Sequence, residues 1–269
     1  MTDSYVLGRS AGETDRLQLQ ASIYASASTY LFTRAGIREG MRVLDVGCGA
    51  GEVSMLLAEL VGPTGSVLGV DMNPVILDLA RARAANAGLH NVSFLAADLT
   101  KLRLDEPIDA LVGRLILVHL KEPAATVRAL ARLVEPGGVV CFQEFNVTTA
   151  HATPRTPLAT RSLALIVDAM RGAGANPDAG REVAPILRDA GLTVDGTTTI
   201  AQAGTAESTL PEYAAISVRS LLPTMVAQGL TTEADVDVET LGARLAEELK
   251  EADALFQVSE LTASWARIP

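Results

Sequence analysis

The segment Asp45-Val46-Gly47-Cys48-Gly49-Ala50-Gly51 combines a carboxylate with glycine at every second position. Glycine is required where the backbone takes positive φ, or where a Cβ would collide with something pressed onto the main chain, so a large ligand is expected against this turn. The Asp45 carboxylate narrows the chemistry, because it repels an anion and welcomes a cationic ligand with an amino-acid head. Two more acids follow at a distance, Asp71 and Asp98, with Arg114 beyond them. Groups able to take a proton from an acceptor are His119, Glu144 and His151, since a His or carboxylate within hydrogen-bond reach serves as a general base.

The elements that must position these groups are legible around them. Val43 to Val46 is an apolar strand emptying into the glycine turn, and Glu52 to Val61 reads as the helix that follows. This is not the dinucleotide fingerprint Gly-x-Gly-x-x-Gly, because the third glycine comes one residue early. Ser66 to Val70 is a second strand ending in Asp71, twenty residues after Gly51, where an acid would hydrogen-bond a ribose diol. Asn73-Pro74 supplies the cap and first-turn proline of the next helix, which leaves Asp71 available to a ligand. Val92 to Ala96 is a third strand ending in Ala97-Asp98-Leu99, and Ile108 to Val112 a fourth, followed by Gly113-Arg114-Leu115-Ile116. Pro136-Gly137-Gly138 then leads into a fifth at Val139 to Phe145.

In order and spacing, residues 40 to 146 resemble the core of the class I S-adenosylmethionine-dependent methyltransferases, with Asp45 to Gly51 as their motif I. The resemblance implies an α/β, Rossmann-like, seven-stranded, mostly parallel sheet flanked by helices, with S-adenosylmethionine as cofactor and S-adenosylhomocysteine as product. It implies cofactor contacts at Asp45, Gly47, Cys48, Gly49, Gly51, Asp71, Met72, Asp98, Leu99 and Arg114. Met72 would cover an adenine face and Asp98 would accept from the adenine amine, unless Asp98-Leu99-Thr100 is simply a turn. Asp45 would touch the ligand, orient the loop through backbone N–H groups, or both. Arg114 would meet the cofactor carboxylate or pair with Asp45.

Outside residues 37–150 two additions are expected: an N-terminal helical cap over 1–36 and, over 151–269, the last two strands with helical lid insertions. A helix from Glu13 to Ala35 carries Leu17, Ala21, Tyr24 and Leu31 on one stripe. That stripe is core packing first, and Tyr24 and Tyr30 are candidates to line an acceptor pocket. Gly8-Arg9-Ser10 and Arg16-Leu17-x-x-Gln20 also resemble the start of a bacterial subgroup of these enzymes. Thr153 to Pro157 reads as a connection, Leu158 to Arg171 as a helix, Gly172 to Gly180 as a flexible loop, Val183 to Ala190 as a helix and Leu192 to Gln202 as strand six. Pro211 to Val226 and Glu239 to Ala254 read as interposed helices before a last strand at Leu261 to Trp265, with Leu221, Leu222, Met225 and Val226 making the lid aliphatic. His119 sits just beyond strand four, where it contacts ligand or packs in the core, and His151 lies on a loop past strand five. His90 and the Arg81-x-Arg83 pair read as solvated.

Composition limits the partners. A net charge of −10 opposes a nucleic-acid substrate, which needs clustered Lys and Arg. The Asn-Pro-Pro-Tyr type motif, which resembling enzymes use on base or glutamine amides, is missing after strand four. The expected acceptor is therefore a small, largely apolar metabolite, with O, N or C open as the methylated atom. No run reaches ~18 apolar residues, and Met1-Thr2-Asp3-Ser4 lacks the basic start of a signal peptide, so cytoplasm is expected, with no membrane partner and a homodimer left open. Cys48 and Cys141 suit small buried positions, and no Cys/His spacing indicates a metal site. Enzymes of this fold that bind the cofactor and catalyse a non-transferring step, and non-catalytic cofactor-binding proteins, are the alternative readings.

Overall fold

A computed structural model describes residues 11–269, with side chains from Arg16 onward. The Gly8-Arg9-Ser10 element lies outside the described residues. In chain order the elements are α1 (Ala11–Ala35), β1 (Arg42–Val46), α2 (Glu52–Val61), β2 (Ser66–Asp71), α3 (Pro74–Asn86), β3 (Val92–Ala96), β4 (Ile108–Arg114), α4 (Pro123–Ala131) and β5 (Val134–Asn146). There follow β6 (His151–Thr153), α5 (Pro157–Gly172), α6 (Val183–Asp189), β7 (Val194–Ile200), β8 (Ala203–Gly204), α7 (Leu210–Ala227), α8 (Glu233–Val236), α9 (Val238–Glu251), β9 (Leu255–Gln257) and β10 (Glu260–Arg267).

The chain divides into two compact units. The core unit comprises Ala25–Glu144, Ala179–Thr199 and Thr262–Pro269; the helical unit comprises Phe145–Asp178, Ile200–Leu261 and the described part of the segment ending at Tyr24.

The core unit is organised by a seven-stranded sheet in the order β3-β2-β1-β4-β5-β10-β7. The pairs β1–β2, β1–β4, β2–β3 and β4–β5 are all parallel. Thr197 bonds Ser264 and Thr199 bonds Thr262; the numbers run oppositely, so β7 and β10 are antiparallel and the sheet is mixed. Strands covered on both faces must be apolar nearly throughout. Accordingly β1 (Arg-Val-Leu-Asp-Val) is buried at every residue after the first, whereas β3 and β7, at the two edges, alternate between partly buried and exposed positions. Leu44, Val46, Val70, Leu111, Val140 and Phe142 meet Val127 and Leu130 of α4 and Val183 and Leu187 of α6 in one continuous core.

Strand order reverses between β1 and β4, and at such a switch point ligands lie outside the carboxyl ends of the strands. The glycine turn after β1 and the Arg114 turn after β4 both occupy that position. Strand four runs on to Arg114, and strand five starts at Val134 rather than Val139 because Val134 pairs with Ile108 across a register shift before Val139 pairs with Ala110.

In the helical unit, α7 packs on α5 and α9, burying Leu221, Leu222 and Met225 and leaving Val226 exposed. A second sheet, β6-β9-β8, was not expected from the sequence, because strands of two or three residues carry too short a periodicity to read. The first residue of α5 is Pro157, but Thr156 at its N-cap makes no side-chain bond. Glu248 of α9 substitutes for it, accepting Leu158 N at 2.7 Å and Ala159 N at 3.1 Å. Replacing Glu248 by Ala is expected to lower stability by about 1–2 kcal/mol, the usual cost of losing a helix cap, read as a lower urea midpoint; an unchanged midpoint would remove Glu248 from the cap.

Candidate cofactor site

The glycine turn is fastened from below. Gly47 N and Cys48 N both donate to Val70 O, at 2.8 and 3.1 Å, and Gly51 N returns to Cys48 O at 2.9 Å. Asp71 at the end of β2 accepts Gly49 N at 3.0 Å through Oδ2 and Asn73 N at 2.9 Å through Oδ1. One carboxylate thus ties the turn after β1 to the turn after β2, and Asn73 itself caps α3 through Val75 N at 3.0 Å.

Gly47 and Gly49 are glycine for different reasons. Both have positive φ, +70° and +52°. A Cβ on Gly47 would strike the Ile116 side chain, whereas one on Gly49 would meet nothing within 4 Å. The first glycine therefore makes room for the protein's own packing, and the second opens a free space above the turn.

Asp45 is 1% exposed and accepts Ser54 Oγ at 2.6 Å, joining β1 to α2. Burial pushes its carboxyl up to about 7, against the opposing pull of Ser54 and of the Arg114 guanidinium. Arg114 donates to Ser28 Oγ at 3.0 Å, and Ser28 donates to Gln143 Oε1 at 2.9 Å, a chain across α1, β4 and β5 that is buried at its Ser28–Gln143 end. Arg83 was read as part of a solvated face, and the structure corrects this: its guanidinium donates to Ala50 O at 3.1 Å and pairs with Glu52. No local pattern marks Arg83, because only the parallel crossover brings α3 beside the glycine turn. Arg81 does face outward, bonding Asp78.

The other predicted cofactor residues are placed as follows. Met72 is 61% exposed beside Asp71, and Cys48 and Leu99 are buried, Leu99 within the main core. Asp98 folds into a local turn: Oδ1 accepts Thr100 Oγ1 at 2.7 Å and Thr100 N at 2.9 Å, and Oδ2 lies 3.9 Å from Lys101 Nζ. The Thr100 bonds hold its carboxyl below the usual range. Both cysteines are free and buried, and among the described residues no cluster of His, Cys, Asp and Glu could hold a metal ion.

Of the proton-transfer candidates, Glu144 is 1% exposed on β5 and accepts Leu117 N at 2.7 Å. Burial raises its carboxyl to about 8, against backbone N–H groups of Leu117, Val118 and Ile116 that favour the charged form. His119 is exposed at the end of the one-turn 3₁₀ helix Leu117–His119. His151 stands on β6, not on a loop, because β9 pairs with it. Its Nδ1 lies 2.8 Å from Thr149 O; a carbonyl only accepts, so Nδ1 is the donor. His151 belongs to the helical unit, as do Tyr24, Leu222 and Met225. Tyr24 is 1% exposed, donating to Ser259 O at 2.8 Å with its ring 4.6 Å from that of Phe145, whereas Tyr30, in the core unit, is 52% exposed.

Asp45 and Glu144 retain protons in the folded chain at pH values where the unfolded chain, with ordinary values of 3.8 and 4.5, has lost them. The native state then binds more protons, and stability falls as pH rises. The thermal midpoint is expected to decline from about pH 5 to about pH 8, and Asp45→Asn to flatten the lower part of that decline; a midpoint rising over this window would contradict the buried, protonated state of these acids.

An open, mostly parallel sheet with its switch point at a carboxylate-anchored glycine turn defines a Rossmann-like nucleotide-cofactor protein. A methyltransferase-domain family matches residues 37–191, and the chain belongs to that family, the class I S-adenosylmethionine-dependent methyltransferase domain. It is 34% identical over 117 residues to the ubiquinone/menaquinone biosynthesis C-methyltransferase UbiE of Pseudomonas putida, covering 43% of this chain and 46% of that one. An uncharacterized methyltransferase of Schizosaccharomyces pombe is 32% identical over 168 residues, 59% of this chain and 58% of that one. The chain thus spans about half the length of the curated relatives it matches. Among solved structures, a SAM-dependent methyltransferase from Aquifex aeolicus is 25% identical with a TM-score of 0.50, covering 63% of this chain and 81% of that one. Among the described residues no helix is long and apolar enough to cross a membrane.

Proposed function

We propose that the protein transfers a methyl group from S-adenosylmethionine to a small, largely apolar metabolite. The observation that carries this reading is the free space above Gly49 in a turn whose backbone is held by Asp71, at the sheet's switch point, in a chain of the methyltransferase family. When bound, the cofactor supplies a methyl group already activated by its sulfonium charge.

The chain's own residues then bind, orient and exclude water. Asp71, although it accepts two backbone N–H groups, has lone pairs left on both oxygens and would receive the ribose diol. Gly49 would lie under the nucleoside, Arg114 would meet the carboxylate of the amino-acid head, and Asp45 would hold the turn to α2 through Ser54. Met72, exposed beside Asp71, would cover a base face. Because an activated methyl needs chiefly proximity and a dry site, a base is an addition for hydroxyl or acidic-carbon acceptors. In the core unit His119, exposed next to the β4 turn, is the proposed base. A small acceptor is supported by the net charge of −10, which opposes a nucleic-acid substrate, and its apolar character by the quinone biosynthesis printed for UbiE.

The test incubates the purified protein with S-adenosylmethionine and a panel of apolar hydroxylated, amino and carboxylated metabolites. A product heavier by one CH₂, with stoichiometric S-adenosylhomocysteine, is the expected result. An acceptor altered without gaining a methyl would overturn methyl transfer in favour of a non-transferring reaction.

A further inference from the structure

Glu144 is a fully buried acid whose surroundings assign it a task other than proton abstraction. Its Oε1 accepts Leu117 N at 2.7 Å, at the start of a turn that the chain adopts against local preference. Leu115 has φ +58°, in the left-handed region that non-glycine residues rarely enter. Backbone bonds run within this turn, His119 N to Ile116 O at 3.0 Å and Leu120 N to Leu117 O at 3.2 Å, and Leu115 N ties it to Gln143 O of β5 at 2.9 Å. The Glu144 side chain adds a second tie from β5, at Leu117 N.

What the turn presents is Ile116. Its side chain occupies the space a Cβ would need on Gly47, and Cγ2 lies 2.7 Å from where a Cβ on Gly113 would be. Ile116 is therefore wedged at the carboxyl ends of β1 and β4, against the first glycine of the cofactor turn. Gly47 N in turn bonds Val70 O at 2.8 Å, so a displaced Ile116 would let the turn shift at the residue where it leaves the strand.

We infer that Glu144 is a positioning residue of the cofactor turn, acting through the Leu115–Leu120 turn and the Ile116 wedge. The inference deepens the cofactor-binding part of the proposed function and rests on it for its effect on affinity, but the brace itself can be observed without ligand. Glu144 acting instead as a base would lower kcat and leave affinity unchanged.

The test compares the full chain with Glu144→Ala, Glu144→Gln, Ile116→Ala and the double variant Glu144→Ala/Ile116→Ala. It reads calorimetric affinity for S-adenosylhomocysteine and, without ligand, amide hydrogen exchange over Gly47–Gly51. Each alanine variant is expected to weaken binding about tenfold, Glu144→Ala through the loss of roughly one buried hydrogen bond and Ile116→Ala through the loss of the packing that fixes Gly47. The double variant should be no worse than the singles, because both act through one turn. Gln at 144 should recover most of the affinity, since its amide oxygen still accepts Leu117 N–H. Exchange of the turn amides should rise about tenfold in both alanine variants, as local opening becomes easier. Unaltered exchange, or additive losses, would overturn the inference; should Glu144→Ala not fold, unaltered exchange in Ile116→Ala decides it in the same way. Faster exchange in a chain that binds no cofactor would uphold the brace and overturn the proposed function instead.

Discussion

Gly49→Val is expected to abolish cofactor binding, with affinity falling more than about 100-fold, while the protein stays folded. Two effects combine. The first is backbone strain: Gly49 has φ +52°, and a residue with a Cβ pays about 1–2 kcal/mol to hold the left-handed conformation, more when it is β-branched. The second is steric. A Cβ there meets no protein atom within 4 Å, so the valine methyls project into the space assigned to the nucleoside. The substituted turn relaxes out of the left-handed conformation in the free protein and must be driven back on binding; at about 1.4 kcal/mol per tenfold change, strain then accounts for roughly one decade and the blocked space for the rest. Gly49→Ala, with the strain but little of the bulk, should lose about tenfold. Calorimetry with S-adenosylhomocysteine checks both, with a thermal melt to confirm folding. Retained affinity in the valine variant would mean that the ligand does not cross Gly49. Substitution at Gly47 is a different experiment, because a side chain there collides with Ile116 and tests the wedge rather than the ligand.

Asp71→Ala is expected to weaken cofactor binding by about 1–3 kcal/mol, the cost of deleting a charged hydrogen-bond partner. The structure adds a reason for the upper part of that range. Asp71 also accepts Gly49 N and Asn73 N, so its removal frees the glycine turn from β2 as well as removing the ribose acceptor. Asp71→Asn should recover little: one of its two positions becomes an NH₂ facing a backbone N–H, donor against donor. A measured affinity within twofold of the parent, in a folded Asp71→Ala chain, would sink the ribose assignment.

These expectations draw unequally on sequence and structure. Helix α2 (Glu52–Val61) and strand β3 (Val92–Ala96) are found with the bounds the sequence indicates, because an apolar run between turn residues, or an amphipathic run after a glycine turn, is a local signal. Asn73-Pro74 was legible as a cap and is one. The long helices α5, α7 and α9 are offset from their expected bounds by up to three residues, where end residues carry no periodicity. The early start of β5 and the strand character of His151 escaped for a different reason: both depend on a partner strand, Ile108 in one case and Gln257 in the other.

The sequence by itself determined the strand, glycine turn and helix, the succession of parallel strands, and the acids at their ends. Those features follow from hydrophobic period and from backbone conformations that only glycine adopts freely. Tertiary structure alone decided what each charged group holds. Asp71 reaches Gly49 across 22 residues, Glu144 reaches Leu117 across 27, Arg83 reaches Ala50 across 33, and Glu248 caps α5 across 90. Such bonds leave no periodic trace in either partner, because a carboxylate or guanidinium is selected by the orphan backbone groups the fold places beside it, and those exist only once the strands and helices have packed.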